Sequence, residues 1–209
     1  MSKGVEMAVS VSEVARQLNR RNAKKKNLPA LVFMTDAKRF PDPTNLIPRM
    51  PKNSALIVRH FSKKQKEQIL IKIKRLCRKH KVKLLVSDDL HLALKHHLDG
   101  VHFPEKTVKK IAACGRFIRP KASFVVTGAC HCLPALKRAE KAKLDGVLLS
   151  PVFATQSHPN AVCLGSVRFN AWASHTNRAV YGLGGINQKM AIRLSCSKSI
   201  GFAGIGGLI

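Results

Sequence analysis

The sequence has few acidic residues and few aromatic ones. Its 209 residues include 11 Asp or Glu against 38 Lys or Arg, so the formal net charge is +27. Such an excess implies strong attraction to anions such as phosphates, nucleic acid or acidic surfaces. The nine Phe, one Tyr and one Trp are not interleaved with basic residues, and no RNA-binding signature is present. Nucleic acid is therefore the disfavoured partner.

Long apolar runs and paired cysteines are also lacking. No stretch approaches the ~20 apolar residues that span a membrane, and residues 1–17 lack the continuous hydrophobic core of a secretion signal. Six cysteines are present, at positions 77, 114, 130, 132, 163 and 196. None belongs to a Cys-x-x-Cys pair, and Cys130-His131-Cys132 is too tight for ordinary tetrahedral zinc. We expect a reduced, cytoplasmic protein with no membrane partner.

Short apolar runs of strand length recur eight times along the chain. They lie at 31–36, 55–60, 83–88, 100–103, 123–128, 146–150, 179–185 and 201–207. Apolar spacing of three and four residues predicts helices between them, at 63–80, 89–97, 105–114, 132–143, 166–175 and 187–196. Alternation of this kind favours a parallel sheet, and eight repeats can close into a (β/α)8 TIM barrel. An open doubly wound sheet is the alternative.

Too few residues follow the eighth run to form the last helix of such a barrel. Residues 10–22 carry apolar residues at helical spacing, and Ser10 or Ser12 can cap them. We expect this N-terminal helix to fill part of the gap. The chain then divides into a basic helical extension, residues 1–30, and the barrel, residues 31–209. An incomplete wall also offers a surface to a second copy, so a homodimer stays open.

Glycines accompany the last two predicted strands. YGLGGIN (181–187) ends one strand and enters a helix, and GFAGIGG (201–207) ends the next. Glycine lets backbone N–H groups approach an anion, and a helix N-terminus adds a partial positive charge. In barrels, the loops after strands seven and eight are the usual phosphate site. We expect small phosphorylated substrates to bind there; a tight turn and a frayed C-terminus are the alternative.

Another loop of this type follows the sixth predicted strand. In GVLLSPVFATQSHPNA (146–161) an apolar run breaks at Ser-Pro into a hydroxyl-rich stretch. A buried strand that ends in an exposed polar loop is typical of a ligand site in α/β proteins.

From residue 31 onward, the ordered motifs resemble the superfamily of thiamine phosphate synthase and thiazole tautomerase, which are (β/α)8 barrels. DGVLLSPVFATQSHPNAVCLG (145–165) looks like that family's Gly-Pro-Val-Phe-x-Thr-x-Ser/Thr-Lys loop, and YGLGGIN looks like its Gly-Gly-Ile turn. DDLHLALKHHLDGVH (88–102) is similar to its Asn-Asp, Ala-rich helix, Asp-Gly-Val-His stretch. The resemblance implies a reaction that joins hydroxymethylpyrimidine pyrophosphate to thiazole phosphate, giving thiamine phosphate and pyrophosphate.

The resemblance also implies roles for individual residues. Arg59 faces the pyrophosphate and, with His131 and His158, belongs to the catalytic set. Asp88 holds Mg²⁺, which with cationic side chains neutralises the leaving group; capping of the next helix is the alternative for Asp88. The implied substrate contacts are Ser87, Thr155, Ser157, Gly184, Gly185, Ile205 and Gly206.

The chain departs from the synthase pattern at several of these places. The departures are Phe61 for a lysine, Ser87 for an asparagine, Thr107 near the second magnesium carboxylate, Ala129 for a serine and His158 for the loop lysine. One charge-assisted contact contributes about 1.5–3 kcal/mol, so several such departures together could abolish turnover.

Two other functions therefore stay open. One is a tautomerase-like enzyme that needs no Mg²⁺ and moves a proton on thiazole phosphate through His131; imidazole, with an ordinary pKa of about 6.5, suits that task. A structural hydrogen bond to a neighbouring strand is the alternative for His131. The other is a barrel that binds phosphate or thiamine phosphate without catalysis.

Basic residues are densest around the predicted helix at 63–80. Residues 59–83 contain 11 Lys or Arg against one Glu. We interpret this segment as a solvated helix face; contact with RNA or an acidic surface is the alternative.

Overall fold

The structure is a computed structural model that describes residues 9–24, 27–37, 42–59, 61–155, 161–205 and 208. Eight parallel strands form one closed barrel in chain order. They are β1 (Leu31–Met34), β2 (Ala55–Val58), β3 (Lys83–Ser87), β4 (Gly100–Phe103), β5 (Val125–Cys130), β6 (Gly146–Leu149), β7 (Ala179–Leu183) and β8 (Gly201–Gly204). Closure is set by β1, where Val32 pairs with Ala55 of β2 and with Ala203 of β8. The predicted TIM barrel is confirmed.

Helices alternate with the strands around the barrel. They are α1 (Val11–Asn22), α2 (Lys63–Lys79), α3 (Leu90–Lys95), α4 (Glu105–Ala113), α5 (Leu133–Lys141), α6 (Gly165–Ala173) and α7 (Gln188–Ile192). Short 3-10 turns at Pro43–Asn45 and Ile47–Arg49 take the place of a helix between β1 and β2. No helix follows β8 among the described residues, as predicted. Within the same residues, none of the helices is long and apolar enough to cross a bilayer.

Two apolar layers explain why the strands read as nearly continuous hydrophobic runs. Side chains such as Val32, Met34 and Ile57 fill the inside of the barrel, whereas Leu31, Phe33 and Leu56 pack outward against the helices. Every residue of β1, β2, β4, β6 and β8 is buried. Strands covered on both faces need apolar residues on both, because each faces a core.

Helix α1 covers the wall that lacks its own helix. Ser10 caps it, and it packs against α7 and β8 through a buried stripe of Val11, Val14, Ala15 and Leu18. Polar side chains reinforce the contact. Asn22 Nδ2 donates to the carbonyl oxygens of Ser197 and Ser199, at 3.0 and 2.6 Å. Asn19 Nδ2 donates to Leu28 O and Ile200 O, both at 3.2 Å.

Apart from β4, the predicted strands and helices differ from the observed ones at one or both ends, and β5 and α7 are two examples. Strand β5 runs to Cys130 instead of ending at Gly128, because it continues to pair with β6 up to Leu149. His131 therefore follows this strand directly. Helix α7 ends at Ile192, well before the predicted residue 196.

Candidate functional site

The carboxyl ends of the strands enclose a cavity of about 1140 Å³. Because all eight strands are parallel, the residues that follow them meet at this one end. The predicted site residues among its lining are Arg59, Ser87, His131, Thr155, Gly184, Gly185 and Ile205. The predicted Ser157, His158 and Gly206 lie outside the described residues. This volume exceeds the range of about 300–1,000 Å³ that is ordinary for small-molecule pockets.

The glycine turn after β7 packs directly against the loop after β6. Gly185 has φ of +64°, and an added Cβ would lie 2.3 Å from Ala154 O, so no other residue fits there without displacing the backbone. The loop is held by hydrogen bonds from Val152 N to Leu183 O, 2.9 Å, and from Phe153 N to Gly184 O, 3.1 Å. The Arg193 guanidinium of the segment after α7 lies 5.4 Å from the centre of the Phe153 ring. Two separate stretches of chain thus form one wall of the cavity.

This wall departs from the expected anion site in one respect. Helix α7 has five residues, so its dipole contributes little, and Asn187 caps it by accepting from Met190 N at 3.1 Å. The predicted contribution of a helix dipole to an anion site is therefore small here, which leaves the backbone amides of the turn and Arg59 as the candidate groups.

His131 is held in one orientation by both of its neighbours. Its backbone N donates to Glu105 Oε2 at 3.1 Å, and its Nδ1 lies 3.1 Å from Ser150 O and 3.2 Å from Ser150 Oγ. A bond to Ser150 O requires the proton on Nδ1, because a carbonyl oxygen only accepts, and in that tautomer Nε2 is an acceptor. Among the described residues Nε2 has no hydrogen-bond partner. The imidazole is exposed and lines the cavity.

Glu105 links the two helices beside this histidine. It is the first residue of α4, and its Oε1 lies 3.4 Å from Arg138 Nη1 of α5. Its carboxylate lines the cavity. Glu105 also accepts the hydrogen bond from His131 N, so it fixes the backbone of the histidine.

His102 is a cavity residue that the sequence reasoning did not include in the site. It lies within β4, is only 4% exposed, and its Nδ1 is 2.9 Å from Thr127 Oγ1 on β5. Burial, together with the positive charge of Arg59, lowers the pKa of His102 to about 3. The ring is therefore neutral at physiological pH. The register of β4 on β5, which pairs His102 with Thr127, would have predicted this contact.

The predicted metal ligand Asp88 lies at the rim and does not line the cavity. It is exposed, has φ of +54°, and its Oδ1 accepts from Thr107 Oγ1 at 2.8 Å. The capping role belongs to Asp89, whose Oδ1 accepts from Leu92 N at 2.8 Å. The capping alternative for Asp88 is therefore wrong by one residue.

The carboxylates fit a magnesium ion only in part. Within the described ranges no group of three or more His, Cys, Asp or Glu could hold a metal. Glu105 is already engaged by His131 and Arg138, and burial raises the pKa of Cys130 to about 12. Mg²⁺ keeps several waters and is often held by one or two carboxylates plus substrate phosphates. A single rim carboxylate such as Asp88 would therefore hold Mg²⁺ only together with waters and a phosphorylated ligand.

A lysine that sequence reasoning missed lies at the same rim. Lys66 Nζ donates to Ser87 O at 2.9 Å, and Ser87 lines the cavity. Lys66 is on the first turns of α2, which begins behind Ser62 with a capping box to Gln65. Its ammonium group comes close to the site although Phe61 occupies the family lysine's place. No motif marks it, because its approach depends on how α2 packs against β3.

Comparisons with known proteins agree with this geometry. A family model described as Thiamine monophosphate synthase matches residues 51–208. The chain is 32% identical to "Putative thiamine-phosphate synthase 2" of Aquifex aeolicus, over 87% of this chain and 96% of the relative. It is 28% identical to a thiamine-phosphate synthase of Prochlorococcus marinus, over 56% of this chain but 33% of that longer protein.

A solved structure shows the same fold. Thiamine phosphate pyrophosphorylase from Pyrococcus furiosus superimposes with a TM-score of 0.67 at 21% identity, covering 88% of this chain and 87% of that one. The family match over most of the chain and the relative matched nearly end to end lead to one conclusion: the chain belongs to the thiamine monophosphate synthase family.

Proposed function

We propose that the protein is a transferase that joins hydroxymethylpyrimidine pyrophosphate to thiazole phosphate. The observation that carries the proposal is a single large cavity with a cation, hydroxyl groups and a glycine turn on its walls. The names of its relatives agree with this activity.

The reaction needs charge stabilisation more than proton transfer. The C–O bond to pyrophosphate breaks, and the leaving group takes the bonding pair. The lone pair of the thiazole nitrogen then forms the new C–N bond to the pyrimidine-stabilised cation. The developing charge is on the pyrophosphate, so fixed positive groups beside it lower the barrier.

The chain's own groups can divide these tasks between two parts of the cavity. Arg59 is held at the end of β2, where Thr35 Oγ1 accepts from its backbone N at 2.8 Å, and it faces the leaving group. Lys66 adds a second cation at the β3 rim. Across the cavity, amides at Gly184, Gly185 and Ile205 and the hydroxyl of Thr155 hold the thiazole phosphate.

Magnesium would join the complex with its substrate. Asp88 would hold it at the rim, supported by Thr107, and the bound ion would neutralise charge on the pyrophosphate.

A second candidate, proton transfer on thiazole phosphate, is favoured by one observation. His131 presents Nε2 as a base because Ser150 O fixes the proton on Nδ1. The transferase has no step that needs this base, so the two functions call on different residues.

One experiment with two variants separates the candidates. Thiamine phosphate formation and proton exchange on thiazole phosphate are measured for the natural protein, Arg59→Gln and His131→Gln. For the transferase, Arg59→Gln lowers kcat/KM by about 10- to 150-fold, since one charge-assisted contact contributes about 1.5–3 kcal/mol. His131→Gln changes that rate little.

The tautomerase gives the opposite pattern, with proton exchange abolished in His131→Gln and retained in Arg59→Gln. Calorimetry against the two substrates and thiamine phosphate tests the third function, binding without catalysis. Binding of thiamine phosphate by a folded protein that catalyses neither reaction would overturn both enzyme functions.

A further inference from the structure

The end of the barrel opposite the cavity carries a ring of unpaired lysines. We call this end the basal face, formed by the loops that enter five of the strands: 50–54, 80–82, 114–124, 142–145 and 193–200. Each loop contributes one exposed lysine, and these are Lys52, Lys81, Lys121, Lys143 and Lys198. Since all strands are parallel, these loops meet at one end of the molecule.

Hydrogen bonds join two pairs of neighbouring loops and fix the fifth loop on a helix. Asn53 N donates to Lys81 O at 2.9 Å, which joins the loops entering β2 and β3. Arg119 Nη2 donates to Lys143 O at 2.8 Å, which joins the loops entering β5 and β6. The loop entering β8 is fixed on α6, where Lys198 N donates to Asn170 Oδ1 at 2.9 Å.

The two nearby carboxylates, exposed Asp99 and buried Asp145, are engaged by other groups and form no ion pair with these lysines. Asp99 Oδ2 accepts from Leu84 N at 2.8 Å, and buried Asp145 accepts from Val126 N and from Arg119. In the described portion of the chain, none of the five lysines forms an ion pair. The basal face is therefore a concentrated positive surface with its counter-charges missing.

We propose that the basal face binds nucleic acid through its phosphate backbone. Lysines neutralise phosphates and release condensed counterions, which gives binding without any reading of base sequence. This mode needs no aromatic stacking, so the absence of basic–aromatic motifs does not oppose it. The lysines come from five separate loops, which explains why no linear sequence motif marks this surface.

Other partners fit the surface less well. Protein interfaces are depleted in lysine and enriched in aromatic residues and Met, whereas these loops expose lysines. Attachment to a membrane surface needs apolar side chains that enter the lipid. Within the five loops, only Ile118 is a large apolar side chain with high exposure, at 82%.

The test compares two variants with the same reduction in net charge. In the basal variant the five basal lysines become Gln. In the control variant, five exposed lysines of helices α2, α4 and α7 become Gln: Lys63, Lys64, Lys106, Lys109 and Lys189. Binding of a labelled single-stranded oligouridylate is followed by fluorescence anisotropy across a series of sodium chloride concentrations, with circular dichroism as the folding check.

We expect the natural protein and the control variant to bind, and the basal variant to bind at least tenfold more weakly. Each phosphate that a lysine neutralises contributes about −0.7 to the slope of log Kobs against log salt on single strands, so replacing all five lysines should flatten that slope by about 3.5. Equally weakened binding in the two folded variants would overturn the proposal, because net charge alone would then explain binding.

Two further results would also overturn it. One is no binding at low salt by the natural protein. The other is binding to phosphatidylserine vesicles that depends on the basal lysines and exceeds binding to the oligonucleotide, which would assign the face to a membrane surface. Because the basal lysines are remote from the cavity, the basal variant should still bind inorganic pyrophosphate, whichever reaction the cavity catalyses.

Discussion

His102 is an ionisable side chain that folding removes from water and keeps neutral. Its pKa falls from 6.5 to about 3 because it is buried and near Arg59. Below about pH 6.5 the unfolded chain binds a proton there, whereas the folded chain does not until about pH 3. The free energy of unfolding therefore decreases as the pH falls through this window.

Replacing His102 by Asn should remove that dependence. Between about pH 7 and pH 5 the natural protein should lose about 2 kcal/mol more of its unfolding free energy than His102→Asn, as measured by urea unfolding. Exposed His91 provides the control, because His91→Asn should leave the pH dependence unchanged. Parallel pH profiles for His102→Asn and the natural protein would contradict the assignment.

Lys66 provides a second prediction for a single residue. If its ammonium group at Ser87 O serves the leaving pyrophosphate, Lys66→Gln should lower kcat/KM for thiamine phosphate formation by about 10-fold or more. Exposed Lys64, on the same helix, is the matched control, and Lys64→Gln should have little effect. Calorimetry with inorganic pyrophosphate gives a reading independent of turnover. Equal affinity in the two variants would exclude Lys66 from the site.

Among the elements, α1 has the clearest energetic role. Asn22 satisfies two carbonyl groups of the segment before β8, at the buried Ser197 and Ser199. Asn22→Ala leaves Ser199 O without this donor, whereas Ser197 O keeps Arg21 Nη2 at 2.8 Å, and the change should cost about 1–3 kcal/mol of unfolding free energy.

Exposed Arg20 on the same helix is the control for this change. Arg20→Ala should change the free energy of unfolding, measured with urea, by no more than about 0.5 kcal/mol, as surface substitutions usually do. If Asn22→Ala were equally mild, the Asn22 hydrogen bonds would contribute little to the attachment of α1.

Elements with strong apolar periodicity could be predicted from the sequence, whereas element ends that are set by tertiary contacts could not. Apolar spacing gave α2 almost to its last residue, and β4 matches its predicted range. Strand β5 was placed two residues early, because Gly128 resembles a turn residue although pairing with β6 keeps it in the sheet. The apolar pattern of residues 187–196 does not indicate that α7 ends at Ile192.

At the scale of the whole molecule, closure of the barrel is what made much of the site predictable. Residues separated along the chain, such as Arg59, His131 and Gly184, line one cavity because each follows a parallel strand. Position after a strand can be read from a sequence. The contacts of Lys66, Glu105 and His102 cannot, because each depends on a partner on another element.

The net charge of +27 predicts a response to salt. Like charges on a folded surface repel one another, and ions screen that repulsion beyond about 8–10 Å at physiological ionic strength. The midpoint of thermal unfolding should therefore rise when sodium chloride is added to a dilute buffer. The variant with five basal lysines replaced should show a smaller rise. An unchanged midpoint in the natural protein would indicate that the surface charges are too far apart to interact.

The contact of α1 with the segment before β8 also constrains how the protein is made. Helix α1 bonds to carbonyl groups more than 170 residues later in the chain, and β1 pairs with β8. During translation, α1 and β1 lack these partners until residues 195–204 have been synthesised. The nascent barrel therefore stays open until β8 is available, and this seam forms after the other strand pairs.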